Sequence, residues 1–297
     1  MLISTMTRAF QTTFGYLDGI EKLCKLGFDC LDMTLTHLGK GNDILLSDDF
    51  ELIVKQIREI AEKHNVKFNQ AHAPYRFDYP LDAFFTDEKA RNDIIFRTKR
   101  SIKIASMLGA KTIVIHPIHN KNYVLYPNEY FLEINKKFYG EFANFAKENN
   151  IKIAVENMWQ LHHYTKAIIA DVCSNPHELA DYVDTLNATY GDTFTVCLDI
   201  GHCALTGVEP AEAIKILGDR LTALHVHDND YQKDLHLLPF TQKIDFAPIV
   251  QSLSEVGYSG ELTFEADYYL ERFPSEELEK EAKTLFNTGK KLISLIK

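Results

Sequence analysis

The chain has 297 residues, long enough for a large core. Its 45% hydrophobic and 25% charged content is that of an ordinary soluble protein, and no run approaches the ~20 apolar residues that span a bilayer. With 32 basic against 42 acidic residues the formal charge is −10, which opposes non-specific binding to polyanions such as nucleic acid or an anionic membrane.

Short apolar runs alternate with amphipathic stretches. Residues 2–6 read as a first strand, and 17–26 as a helix stopped by Gly27. Residues 28–35 form a second strand, 50–64 a helix with Leu52, Ile53, Ile57, Ile60 and Ala61 on one stripe, and 66–72 a third strand. A long helix over 87–108 closes on Gly109 and leads to a fourth strand over 111–116. A helix over 129–149 precedes strand five at 151–156. Asn175 caps a helix over 175–186 with Pro176 in its first turn, and strand six covers 193–199. Helix 209–217, strand seven at 221–227, helix 246–256, strand eight at 261–265 and a last helix over 275–296 complete the chain.

This alternation predicts a parallel sheet with right-handed crossovers. Eight such units in one domain, residues 1–297, fit an α/β fold of the closed (β/α)8 TIM-barrel type. An open doubly wound sheet is the alternative. It usually gathers ligands at one switch point, whereas here no GxGxxG follows the first strand and candidate ligands are spread over many strands.

Five cysteines, Cys24, Cys30, Cys173, Cys197 and Cys203, form no CxxC pair. Their odd number in a long chain points away from a disulfide framework and toward a reducing, cytoplasmic setting. The short apolar start, Met1-Leu2-Ile3-Ser4-Thr5, does not read as a signal peptide.

Four apolar runs each end in a metal-type ligand: Ile153-Ala154-Val155-Glu156, the run closing on Leu198-Asp199, Leu221-Thr222-Ala223-Leu224-His225, and Leu262-Thr263-Phe264-Glu265. Each strand end places its group at one edge of the sheet, so Glu156, Asp199, His225 and Glu265 can converge as an oxygen-rich site for one divalent ion, with Mn, Mg, Co and Zn all compatible. The same edge gathers His72, His116, His202, His227, Asp234 and His236. His72 and His116 are expected to face the site without binding metal. His225 and His227 share a side of their strand, so His227 is either a second ligand or a residue that supports one. Trp159, in the loop after strand five, either walls the pocket or covers the core. His37, His64, His162, His163 and His177 read as solvent or loop residues.

Taken in order, Ala71-His72-Ala73-Pro74-Tyr75, Val155-Glu156-Asn157, Leu198-Asp199-Ile200-Gly201-His202, His225-Val226-His227-Asp228-Asn229 and Phe264-Glu265 resemble the xylose-isomerase-like barrel superfamily over nearly the whole chain. That group contains sugar isomerases, ketose 3-epimerases, inosose dehydratases and the endonuclease-four type of abasic-site nuclease. The resemblance implies that Glu156, Asp199, His225 and Glu265 hold one ion, that His202 contacts substrate oxygens, and that Glu156 and Glu265 also move protons. A cation on the carbonyl and adjacent hydroxyl stabilises an enediolate, while carboxylates on opposite faces remove and return a proton.

The expected function is therefore metal-dependent isomerisation or epimerisation of a sugar or polyol, with a homo-oligomer left open. Dehydration of an inosose is one alternative. Abasic-site cleavage is another, since nucleases of this group hold three zinc ions with nine ligands, and His72, His116, Glu156, Asp199, His202, His225, Asp234, His236 and Glu265 match those types in order. The net charge and the missing glycines in the stretch after strand seven, residues 237–246, weigh against it. A non-catalytic binding barrel would need no second glutamate.

Overall fold

In a computed structural model, which describes residues 1–119 and 128–297, eight parallel strands form the expected barrel. They are β1 (Ile3–Met6), β2 (Cys30–Thr34), β3 (Lys67–His72), β4 (Thr112–Val114), β5 (Lys152–Glu156), β6 (Phe194–Asp199), β7 (Leu221–His225) and β8 (Leu262–Phe264). Neighbours pair in sequence order and β1 pairs with β8. The ring closes between the ends of β7 and β8. There the Val226 N–H donates to the Thr263 carbonyl at 2.9 Å, and the Glu265 N–H donates to the Val226 carbonyl at 3.2 Å. No helix among the described residues is long and apolar enough to cross a membrane.

Strand pleating sorts the side chains. Ala154 and Glu156, Cys197 and Asp199, and Ala223 and His225 occupy alternate positions on their strands. Val114, Ala154, Cys197 and Ala223 make one small buried apolar cluster, separate from the main core that packs Leu31, Ile113, Val155, Leu198 and Phe264 against the helices. The polar strand-end groups therefore stand one pleat above a plug of small residues, at the C-terminal edge where barrel strands present their chemistry.

Several elements differ from the sequence reading. A helix at Arg8–Phe14 precedes the one at Tyr16–Cys24; it is too short to show a helical period, and Gly15 at φ 79° separates the two. Helix Ile200–Thr206 follows β6 directly. Its signals were present: Asp199 accepts from the His202 N–H as an N-cap, and Gly207 ends it at φ 75°. Trp159 lies not in a loop but in a hairpin pairing Trp159–Leu161 with Ile168–Ala170. β7 stops at His225 rather than at residue 227, because Val226 turns its hydrogen bonds to β8 and the next residues organise a loop.

Candidate metal centre and substrate cavity

The short motifs act as clamps between neighbouring strand ends. Asn157 holds the end of β6 through both its groups: its Oδ1 accepts from the Asp199 N–H at 2.7 Å and its Nδ2 donates to the Asp199 carbonyl at 3.0 Å. Past β7, Asp228 accepts from the N–H groups of Thr241, Gln242 and Ile244 at 2.8–3.1 Å, and Asn229 donates to the Gly201 carbonyl at 2.9 Å. Glu156-Asn157 and His227-Asp228-Asn229 thus each couple a functional residue to one that fixes the loop around it.

The four predicted ligands converge. His225 Nδ1 lies 3.2 Å from Glu156 Oε1, 3.0 Å from Glu265 Oε2 and 3.9 Å from Asp199 Oδ2. One donor atom from each of the four lies within 4.8 Å of the others. Two further groups meet the same criterion and flank the first: His72, His116 and Glu156 on one side, and His202, His227, Asp234 and His236 on the other. His72 and His225 additionally group with Glu265. Every site residue expected from sequence is therefore brought to one mouth, and His72 and His116 are better placed as metal donors than the sequence reading allowed. His116 Nε2 is 2.8 Å from Glu156 Oε2, with His72 Nε2 at 3.6 Å.

Hydrogen bonds set which nitrogen each imidazole offers. His72 Nδ1 lies 2.8 Å from the Ala73 carbonyl, His202 Nδ1 2.8 Å from the Asn157 carbonyl, and His236 Nδ1 2.9 Å from the Glu265 carbonyl. A carbonyl only accepts, so each ring donates Nδ1–H and turns Nε2 toward the site, where His236 Nε2 donates in turn to Asp234 Oδ2 at 2.9 Å. His225 is reversed and presents Nδ1. His227 Nε2 lies 3.1 Å from Asp199 Oδ1, within reach to support that carboxylate, while His227 also belongs to the donor group with His202, Asp234 and His236. Gly201 serves this packing, since a Cβ there would collide with the His227 ring.

The electrostatics are those of a cation site balanced by protons. Burial would raise the Glu156 carboxyl, but His116 and His225 outweigh it and hold it well below the usual range. His225 and His236 likewise overcome burial to lower Glu265, and His236 and His202 do so for Asp234. The imidazoles move the other way. Against burial, Asp199, Asp234 and Glu156 raise His202 to about 10, while Cys197, Glu265 and Glu156 raise His225 and Asp234 and Glu265 raise His236, both well above the usual value. Among the described residues, the buried His225 Nε2, His227 Nδ1 and Asp234 Oδ1 lack a hydrogen-bond partner. Clustered carboxylates and imidazoles with unused lone pairs fit a divalent ion that accepts nitrogen and oxygen donors.

Above the donors opens a cavity of about 370 Å³, a small-molecule size. Trp159 forms part of its wall, as one sequence reading held, with its ring edge toward His202 at 6.3 Å between centroids. His116, His202, Asp234 and His236 also line it. Sequence reasoning missed Arg8, Arg76, His119, Asp267 and Tyr268 in this lining. His119 pairs with Asp171 at 2.7 Å, and Arg8 with Glu271 at 3.0 Å. Burial raises the Asp267 carboxyl to about 7 despite Arg8 nearby. A basic or acidic residue within three positions of a strand end was the available signal for Arg8 and Asp267.

A sequence profile described as the xylose isomerase-like TIM barrel matches residues 20–288. Curated relatives include an uncharacterized protein of Methanocaldococcus jannaschii, 26% identical over 274 residues covering 90% of this chain and 85% of that one. The fructoselysine 3-epimerase of Shigella flexneri is 23% identical over 214 residues, 71% of this chain and 72% of that one. Among solved structures, a D-tagatose 3-epimerase-like protein superposes with a TM-score of 0.73 at 20% identity, covering 99% of this chain and 98% of the other. The IolI protein with a bound zinc atom does so at 0.69 and 20%, covering 100% and 98%. The chain therefore belongs to the xylose isomerase-like TIM-barrel family.

Proposed function

We propose that residues 1–297 act as one catalytic barrel, a divalent-metal-dependent isomerase or epimerase of a small sugar or polyol. The observation that carries this is a division among the four central donors. Glu156 and Glu265 line the cavity, whereas Asp199 and His225 are fully buried behind it. Two carboxylates reach a substrate and two further groups complete the cation site. A bound cation supplies polarisation of a carbonyl, which acidifies the adjacent C–H. Glu156 and Glu265 are placed to take that proton and to return one, and the face and carbon of return decide between epimerisation and isomerisation. His202 and His236, with Nε2 turned toward the lining, and Trp159, at its wall, are placed to orient hydroxyls. The epimerases among the relatives support this reading, and five free, buried cysteines accord with a reducing cytoplasm.

The test is to incubate metal-loaded protein with ketoses, aldoses and inososes in deuterated water and follow deuterium at carbon by NMR. Exchange at a carbon next to the carbonyl supports the reading, and water loss from an inosose would redirect it to a dehydratase. Silence across the panel, together with nicking of an abasic-site duplex, would replace it with the nuclease.

That second reading has its own observation, the three adjoining donor groups that together contain all nine of those residues, with His227 besides. Metal content separates the two, at one ion per chain for the sugar enzyme and about three for the nuclease.

A further inference from the structure

The geometry points to Asp32 as the positioning residue that fixes the ring of His225. Asp32 sits inside β2 with none of its surface exposed, at a register shift between Leu31 and Asp32 where β2 pairs with β3. Such an irregularity re-aims a side chain. Its Oδ2 accepts from Gln70 Nε2 at 2.8 Å and lies 3.7 Å from His225 Nε2. Among the described residues its Oδ1 has no hydrogen-bond partner, and neither does His225 Nε2.

Two independent requirements meet at this pair. A buried carboxylate needs more than one neutral hydrogen bond, because an unpaired charge away from water is costly. The ion pair drawn for Asp32 among the described residues is with His225. In turn, His225 faces Glu156, Glu265 and Asp199 with Nδ1, so an ion held there would take the Nδ1 lone pair and leave the ring proton on Nε2. The other candidate donors His72, His202 and His236 rest their second nitrogen on a backbone carbonyl. His225 has no such carbonyl, and Asp32 stands in that place. Gln70 holds the carboxylate, and Thr263 packs against Gln70 with its Oγ1 3.4 Å from Gln70 Oε1. The chain Gln70–Asp32–His225 thus ties β3, β2 and β7 together beneath the cation site and raises the basicity of the ligand nitrogen.

This inference rests on the metal-site part of the proposed function, and zinc binding without any sugar tests it. Zinc affinity is measured by competition with a chromophoric chelator for the wild type, Asp32→Ala and Asp32→Asn. Alanine should weaken zinc by about 10–100-fold. Asparagine, which keeps an acceptor oxygen, should recover part of the loss. A purely structural role would lower the metal-free melting temperature and leave the affinity of the folded protein alone. In nitrogen-15 histidine spectra of the zinc-loaded protein, His225 should appear with its proton on Nε2, and that signal should broaden or vanish in Asp32→Ala. A folded Asp32→Ala protein that binds zinc within twofold of the wild type overturns the inference, as does an unchanged His225 signal. Asp32-dependent zinc binding without exchange on any sugar would sink the proposed activity alone, and a wild type that binds no zinc would sink both.

Discussion

His227 Nε2 lies 3.1 Å from Asp199 Oδ1, on the same carboxylate oxygen that accepts the His202 N–H at 2.6 Å. His227 Nε2 also lies 3.2 Å from Asp199 Oδ2, the oxygen that stands 3.9 Å from His225 Nδ1. His225 and His227, two residues apart, are therefore suited to different tasks: in the proposed site His225 would offer a lone pair to the ion, and His227 would aim the carboxylate beside it. His225→Ala should abolish tight metal binding at the central position. His227→Gln should weaken it by about tenfold while leaving the stoichiometry unchanged. Elemental analysis and a chelator titration of the two variants check this, and equal losses would return His227 to the ligand set.

Gly201 makes that arrangement testable from the backbone side. It occupies the first turn of helix Ile200–Thr206, and an added Cβ would run into the His227 imidazole. The ring is fully buried and has nowhere to retreat. Gly201→Ala should cost about 1–3 kcal/mol by overpacking, and it should loosen metal through Asp199. Thermal unfolding of the metal-free protein reads the first effect, and zinc affinity reads the second. An alanine variant with both values unchanged would show that the ring can move aside.

Much of this site is legible in the sequence because strand ends announce themselves. Apolar runs that stop on Glu156, Asp199 and His225 coincide with strands that end on those residues. What sequence hid was direction and partnership. Asp32 lies inside an otherwise apolar run, and nothing local reveals that a register shift turns it toward His225. Arg8 reaches the cavity because a short helix follows β1, and that helix has no period to detect. His119 depends on Asp171, 52 residues away. The roles of His225 and His227 differ only through contacts to other strands, so periodicity could bring them to one face but could not rank them.

Metal uptake should depend steeply on pH. In the metal-free protein His202 is raised to about 10, and His225 and His236 are raised well above the usual value. Raised imidazoles carry protons at neutral pH, and a cation must displace them to reach the nitrogen lone pairs. Affinity should therefore climb between pH 6 and 9, by about one log unit per pH unit for each proton released. Calorimetry in buffers of different ionisation enthalpy counts those protons. A profile flat across this range would mean that the imidazoles are already neutral, against the charge balance of the cluster.

The two glutamates offer the sharpest separation of binding from chemistry. Glu156 is held between His116 at 2.8 Å and His225 at 3.2 Å, and it also lines the cavity. Glu265 touches the central cluster through His225 at 3.0 Å, and its side chain is 15% exposed toward the cavity. Glutamine at either position keeps the shape and one acceptor oxygen but removes the base. Each variant should lose about 10²–10⁴-fold in proton exchange at the substrate carbon. Glu156→Gln should also lose more metal, because Glu156 stands between two imidazoles, His116 at 2.8 Å and His225 at 3.2 Å. Measuring exchange at saturating metal removes that second effect. Loss of exchange in only one variant would assign both proton transfers to a single carboxylate, while full activity in both would move the chemistry to another group such as Asp267, which lines the same cavity.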